Sequence, residues 1–347
     1  MTGGVRQVRV LLLGAGNVGR HFLGLLPATR ERLKSRLGLA LVPVGVADRS
    51  GAALSPEGLD PQQVVELKLK GLGMGAYPRW GQPGMSALEM VQEAGADLVL
   101  DASPGNLESG QPGLGCVEAA LDRGLHVVMA NKAPLVLAFP RLVARARERG
   151  VCLRYDATVA GGLPAVNLGE RDLAAARIDR LEGVLNLTSN FILARMAEGL
   201  SYDEALAQAQ AAGQAETDPR LDVEGWDAAS KLVILANGAL GQPATLADVA
   251  VEGILGLTPD VLRAALDRGR RYKAIAVAER GPDGYSLRVG PVALEAGHPL
   301  ARLDGDQMAI VFETDISGVI AATIVERSPM PTASAMLRDV VEIYRED

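Results

Sequence analysis

The aliphatic run Val8–Leu13 passes without a break into Gly14, Gly16 and Gly19, which stand in G-x-G-x-x-G spacing and open a helix-like segment. Few features restrict a fold more. An unbroken β-branched and aliphatic run is the pattern of a strand covered on both faces. The three glycines then have separate tasks. Gly14 permits a tight turn, Gly16 lets a pyrophosphate approach the backbone, and Gly19 lets helix and strand pack closely. The spacing alone is weak; its place between a strand and a helix points to a dinucleotide-binding turn, a glycine turn with no ligand being the plainer alternative. Phosphates would rest on the backbone from Gly14 through Ala15, Asn17 and Val18 to Gly19, at the start of the helix.

The first 155 residues repeat the pattern. Leu39–Asp48, Ala96–Ser103, His126–Asn131 and Val151–Ala157 read as further strands, with helical stretches between them. Such alternation predicts a Rossmann-type, doubly wound parallel sheet. Ligands of such sheets bind at strand C-termini. Asp48 closes the second strand, where an acid hydrogen-bonds a ribose 2′-hydroxyl and favours NAD. It lies farther from the glycines than the usual spacing of about 20 residues, and an added helix or loop around Pro27–Arg36 accounts for the excess. Arg49 suits a 2′-phosphate, hence NADP, or is a solvated surface residue; the choice of cofactor stays open. Ser103 and Lys132 fall at the same edge and are candidates to touch the cofactor, although a lysine there also reaches solvent.

Composition narrows the class. A net charge of −7 argues against nucleic-acid or polybasic membrane surfaces. Two cysteines and three scattered histidines give neither a disulfide framework nor a zinc set. No apolar run reaches the roughly 20 residues of a membrane span. A cytoplasmic enzyme acting on a small molecule is the expectation.

Beyond Asp156 the texture becomes α+β, with antiparallel strands predicted near the C-terminus and a closing helix at 332–347. Residues 156–331 are expected to form a catalytic and dimerisation domain with a mixed sheet, the closing helix packing back on residues 1–155. Within Ala215–Asn237, Asp227 and Lys231 stand at i and i+4 on a helix whose second half is apolar nearly all round. A buried lysine needs a carboxylate or must surrender its proton. Asp227 and Glu216 are placed to hold it, or to bind a substrate ammonium. Asp222 suits an N-cap. A structural ion pair is the plainer alternative.

Taken together, the segments GAGNVG, ANKAPL, YDATVAGGLP, GVLNLTSNFILARMAEGLSYDEALAQAQAAGQAETDPRLDVEGWDAASKLVILAN and PTASAMLRDVV resemble homoserine dehydrogenase in order and over nearly the whole chain. The resemblance implies NADH- or NADPH-dependent reduction of aspartate 4-semialdehyde to homoserine, on the route to threonine and methionine. It implies that Lys231 serves the proton step and that Lys132 is a second active-site lysine. Glu216, Asp222, Asp227, Thr188 and Asn190 would hold the substrate. The backbone carbonyls of Asp156, Val159, Gly161 and Leu163 would bind Na+ or K+. A homodimer is expected, without the regulatory ACT domain.

Three positions depart from the family pattern. Asp156 replaces a glutamate, and Leu187 a glycine beside the substrate turn. Glu326–Pro331 replaces a glycine-rich stretch that closes over the cofactor. These departures keep two other readings open: a dehydrogenase of another small amino acid or aldehyde, and a non-catalytic nicotinamide-binding sensor.

Overall fold

The computed structural model describes residues 5–345. They form two compact units, one ending at Gly162 and resuming at Ser328, the other spanning Leu163–Arg327.

The first unit opens with β1 (Arg6–Leu13), α1 (Asn17–Leu37), β2 (Leu39–Asp48) and β3 (Gly51–Leu54). It continues with α2 (Pro61–Leu69), β4 (Gly81–Pro83), α3 (Ala87–Glu93), β5 (Leu98–Asp101) and α4 (Gly113–Asp122). Then come β6 (His126–Met129), α5 (Ala133–Arg149) and β7 (Leu153–Arg154). Among the described residues these strands make a seven-stranded sheet, ordered β4-β3-β2-β1-β5-β6-β7. The ladders joining β2, β1, β5, β6 and β7 are parallel. The β3 and β4 edge is antiparallel. The fold class read from the sequence is therefore observed.

Local chemistry explains the elements. Asp60 caps α2 with Pro61 at its first position, and Ser86 and Glu89 form a capping box on α3. The excess length before Asp48 is neither a loop nor a separate helix. It is α1 itself, which runs through Pro27 and stops at left-handed Gly38. The strand expected over Val151–Ala157 is a correction. Only Leu153–Arg154 pairs, and Asp156–Thr158 winds into a short 3-10 turn.

The second unit begins with short α6 (Ala165–Asn167), β8 (Ile178–Val184), α7 (Leu187–Ala197) and α8 (Tyr202–Ala211). It proceeds through α9 (Arg220–Val223), α10 (Trp226–Gly238), β9 (Val249–Val251) and α11 (Pro259–Asp267). β10 (Arg270–Gly281), β11 (Gly284–Glu295), β12 (Gln307–Thr314) and β13 (Val319–Val325) complete it. The sheet is mixed, in order β13-β12-β8-β10-β11-β9, with β9 parallel to β11 and the other ladders antiparallel. Asn190 repairs a gap in it. Where β8 stops short of the start of β10, the Asn190 amide donates to the Ala274 carbonyl at 3.0 Å and accepts from the Ala274 N–H at 3.1 Å. A side chain thus supplies what a neighbouring strand would have.

The final helix, α12 (Met330–Arg345), belongs to the first unit. Its Ala333, Met336, Val340 and Ile343 lie in one core with Val8, Phe22 and Leu23. Among the described residues, no helix is long and apolar enough to cross a membrane.

Candidate active site

In the first unit the glycines divide by geometry. Gly14 has φ +92°, and a Cβ there would strike the backbone of Ala102 and Ser103. A Cβ on Gly19 would run into the Gly14 carbonyl oxygen. Both are demanded by the fold itself. Gly16 is different: a Cβ there meets nothing within 4 Å. It is the N-cap of α1, with no side-chain cap. Packing within the protein does not require a glycine here, and the first N–H groups of α1, on Asn17 and Val18, are placed as an anion site would need. The Asn17 side chain is held by Arg20 at 2.7 Å, and Ala15 is buried beneath the turn.

Asp48 ends β2 heavily occupied. Its Oδ1 accepts from Ser50 N–H (2.9 Å), Ser50 Oγ (2.7 Å) and Met74 N–H (3.2 Å), and its Oδ2 from Lys68 Nζ at 2.5 Å. Burial pushes its pKa up, but the Lys68 and Ser50 hydrogen bonds outweigh this and hold it below the usual aspartate value. Lys68 was not foreseen from the sequence, because α2 brings it to Asp48 across 20 residues. Arg49 is exposed and has no side-chain partner among the described residues.

At the ends of β5 and β6 a buried carboxylate organises both loops. Asp101 is fully buried. Its Oδ1 accepts from Ser103 N–H at 3.0 Å and Ser103 Oγ at 2.5 Å, and its Oδ2 accepts from Asn131 Nδ2 at 3.1 Å. Asn131 in turn accepts from Ala133 N–H at 3.1 Å, which sets the start of α5, and Lys132 is the N-cap of that helix. Burial raises the Asp101 pKa to about 6 against these hydrogen bonds. Neither Asp101 nor Asn131 was singled out from sequence; an acid ending a strand of apolar residues was the available signal.

In the second unit, Lys231 on α10 donates to Asp227 Oδ2 at 2.7 Å and to the Leu185 carbonyl at the end of β8. Both ends of the ion pair are largely buried, 13% and 14% exposed. Asn186, one residue past Leu185, donates through Nδ2 to Asp222 Oδ1 at 2.6 Å and Asp227 Oδ2 at 2.8 Å. Asn186 is also the N-cap of α7, taking the Ser189 N–H at 2.9 Å. Sequence reading missed it, though an asparagine before an apolar helix is a cap signal. Burial, then repulsion from Asp227, raises the Asp222 pKa, while Asn186 and Lys231 oppose the rise.

Several expectations are corrected here. Asp222 caps nothing: it lies inside α9, and Gly225 is the N-cap of α10. Glu216 does not hold Lys231; it is exposed, and its side chain has no partner among the described residues. Thr188 Oγ1 donates to the Gln214 carbonyl at 2.7 Å, tying α7 to the segment before Glu216. Asn190 is committed to Asn186 and Ala274. Leu187 carries no strain, because it begins α7 and is absent from the positive-φ residues.

The carbonyl loop is held from α12. Arg338 pairs with the Asp156 carboxylate and donates to the Gly162 carbonyl, and Asp339 accepts the Asp156 N–H at 3.0 Å. Ala160 and Gly161 are both left-handed, at φ 52° and 60°. Leu163 opens the second unit, its carbonyl accepting from Ala165 N–H. Among the described residues no cluster of histidine, cysteine or acidic side chains suits a metal.

A nucleotide-type turn with an unfilled glycine, together with a lysine set among carboxylates, defines a dinucleotide-dependent oxidoreductase. The family model for homoserine dehydrogenase matches residues 164–341. A homoserine dehydrogenase of Methanocaldococcus jannaschii is 37% identical over 96% of this chain and 98% of its own. An NAD(+)-dependent homoserine dehydrogenase of Pseudomonas canavaninivorans is 35% identical over 98% and 97%. A hyperthermophilic archaeal homoserine dehydrogenase solved in complex with NADPH superposes with a TM-score of 0.85, at 25% identity and 99% coverage of both chains. The chain belongs to the homoserine dehydrogenase family, NAD(P)-dependent oxidoreductases that act on a CH–OH group.

Proposed function

We propose that this chain interconverts L-homoserine and L-aspartate 4-semialdehyde, with Lys231 as the proton donor to the substrate oxygen in the reducing direction. The reaction stands on the aspartate route to threonine and methionine. The observation that carries the reading is the occupancy of Lys231. An ammonium has three N–H groups. Two are spent, on Asp227 and Leu185, which leaves one.

The residues divide the work. Asp222 and Asp227, joined through Asn186, outnumber Lys231 in this group. An amino-acid substrate brings an ammonium that relieves the repulsion between Asp222 and Asp227. Asn186 fixes the two carboxylates relative to each other, and Thr188 and Asn190 hold α7 and the segment before Glu216 in place. The bound nicotinamide supplies or accepts hydride at the substrate carbon. Lys231 gives its third proton to the alkoxide that develops there, and Asp227 stabilises the ammonium before transfer.

The first unit holds the nucleotide. The Gly14–Gly19 turn takes the phosphates, and the Asp101 network sets Ser103 and Lys132 at the nicotinamide end. At the ribose corner both nucleotides find partners. Asp48 Oδ2 keeps a lone pair for a 2′-hydroxyl, while Lys68 and Arg49 supply charge for a 2′-phosphate. Among the relatives, one is named as NAD(+)-dependent and one is solved with NADPH.

An alkali ion is part of the same proposal. The carbonyls of Val159 and Gly161, with those of Asp156 and Leu163, are the hard oxygen donors that Na+ or K+ prefers. They would hold the ion through their oxygens. A homodimer also fits the second unit. Ile316, Val319 and Val325 on and beside the edge strand β13 are 69%, 66% and 45% exposed, an apolar edge that a second copy would cover.

The test is oxidation of L-homoserine by the purified protein with NAD+ and NADP+ in parallel, against a panel of other small hydroxy amino acids. Turnover selective for homoserine supports the reading. Faster turnover of another member of the panel would reassign the substrate, and cofactor binding without any turnover would leave a sensor.

A further inference from the structure

The second unit holds a cavity of about 330 Å³ apart from the Lys231 group, bordered by the C-terminal half of α7, by α11, by the start of β10 and by the Leu303–Gly305 loop. Lys273 is the anomaly in its wall. It is 5% exposed, and its Nζ donates to the Leu303 carbonyl at 2.7 Å. No carboxylate meets it, and two of its three N–H groups have no partner among the described residues. A buried ammonium left this way is costly unless something completes its shell. The Arg195 Nε, also on this cavity, is buried without a hydrogen-bond partner.

The charges around the cavity add up to a preference. Arg195 is offset by Glu198, to which it pairs at 2.7 Å. Arg271 lies two residues before Lys273 and so on the same side of β10. It is exposed and forms no ion pair among the described residues. Against these two cations stands Asp304, leaving one positive charge in excess. Leu193, Leu262, Leu266 and Tyr272 supply the larger apolar surfaces of the wall.

We propose that this cavity is a binding site for a small monocarboxylate with a short branched apolar tail, its carboxylate held by Lys273 and Arg271 and its tail laid on Leu262 and Leu266. The volume lies in the range of small-ligand sites. Burial, aided by the charge of Arg271 and opposed by Asp304, holds Lys273 down to about 8. Binding of an anion therefore weakens as pH rises through that region, because the neutral amine no longer attracts it. Tyr272, Glu198 and Arg195 line the same cavity.

The experiment is calorimetric titration of the full-length protein with 4-methylpentanoate and, separately, with its uncharged amide. The expected result is saturable binding of one acid per chain, unaffected by saturating L-homoserine and weaker at alkaline pH. The amide should bind at least about tenfold more weakly, the measure of one charge-assisted hydrogen bond. Lys273→Met should weaken the acid by a similar factor. Should that variant not fold, Arg271→Leu at the exposed mouth should weaken it severalfold. Equal binding of acid and amide, displacement of the acid by homoserine, unchanged affinity in either variant, or no binding of the acid overturns the proposal.

Discussion

Lys231 Nζ meets Asp227 Oδ2 at 2.7 Å across one turn of α10, and both side chains are about seven-eighths buried. The pairing gives a largely buried ammonium the carboxylate partner that burial demands. Lys231→Met should therefore lower kcat by about 10² to 10⁴, the usual worth of a positioned acid. Cofactor affinity should not change. Steady-state kinetics with a separate nucleotide titration checks both, and full turnover in the variant would take Lys231 out of the reaction.

The glycine turn yields a paired prediction. Gly19→Ala forces a Cβ into the Gly14 carbonyl, so the turn must deform. Soluble yield or the melting temperature should fall sharply. Gly16→Ala places a methyl in open space. It should fold with near-normal stability yet lose nucleotide affinity. Thermal melts with and without nucleotide separate the two, and equal behaviour of the variants would contradict the division of tasks.

Asp101 makes stability depend on pH. Its folded pKa, about 6, lies above the ordinary aspartate value of 3.8. Between these values the folded state binds more protons than the unfolded one, so stability falls as pH rises through the window. The gap corresponds to a few kcal/mol, on the order of 3. Urea midpoints from pH 4 to 7, compared with Asp101→Asn, should show this component in the wild type alone. Asparagine also turns an amide toward the Asn131 amide, so the variant should bind cofactor less well. Parallel pH profiles for the two proteins would refute the assignment.

Lys68 bears on the choice of nucleotide. Lys68→Ala removes the charge beside Asp48 Oδ2. The ratio of kcat/KM for NADP+ to that for NAD+ should drop by about tenfold, as one charge-assisted contact to a phosphate is lost. An unchanged ratio would assign the corner to Arg49 alone.

The parallel sheet was legible in the sequence because its strands are unbroken aliphatic runs, and β2 falls where the pattern placed it. The short antiparallel edge, β3 and β4, was not, since Gly51–Leu54 and Gly81–Pro83 carry no such run. Val151–Ala157 misled for a related reason. Its apolar residues line a core while its backbone turns away from the ladder after Arg154. In the site, Lys231 and Asp227 were legible as a local i, i+4 pair. Asn186 meets Asp222 across 36 residues, and Asn131 meets Asp101 across 30. No local periodicity encodes such encounters. Glu216 shows the converse: lying close in sequence to the pair did not bring it to Lys231.

The placement of α12 has a bearing on how the chain is made. Ala333, Met336, Val340 and Ile343 complete the core around Phe22, yet some 300 residues separate them from it in the order of synthesis. On a ribosome, residues 163–327 emerge before the first unit has received its last helix. The N-terminal unit must wait, with part of its apolar interior uncovered, until α12 has been made, whereas the interrupting unit has its whole sequence in hand sooner. Nascent chains stalled before Met330 should accordingly bind chaperones through the N-terminal unit and release them once α12 is out.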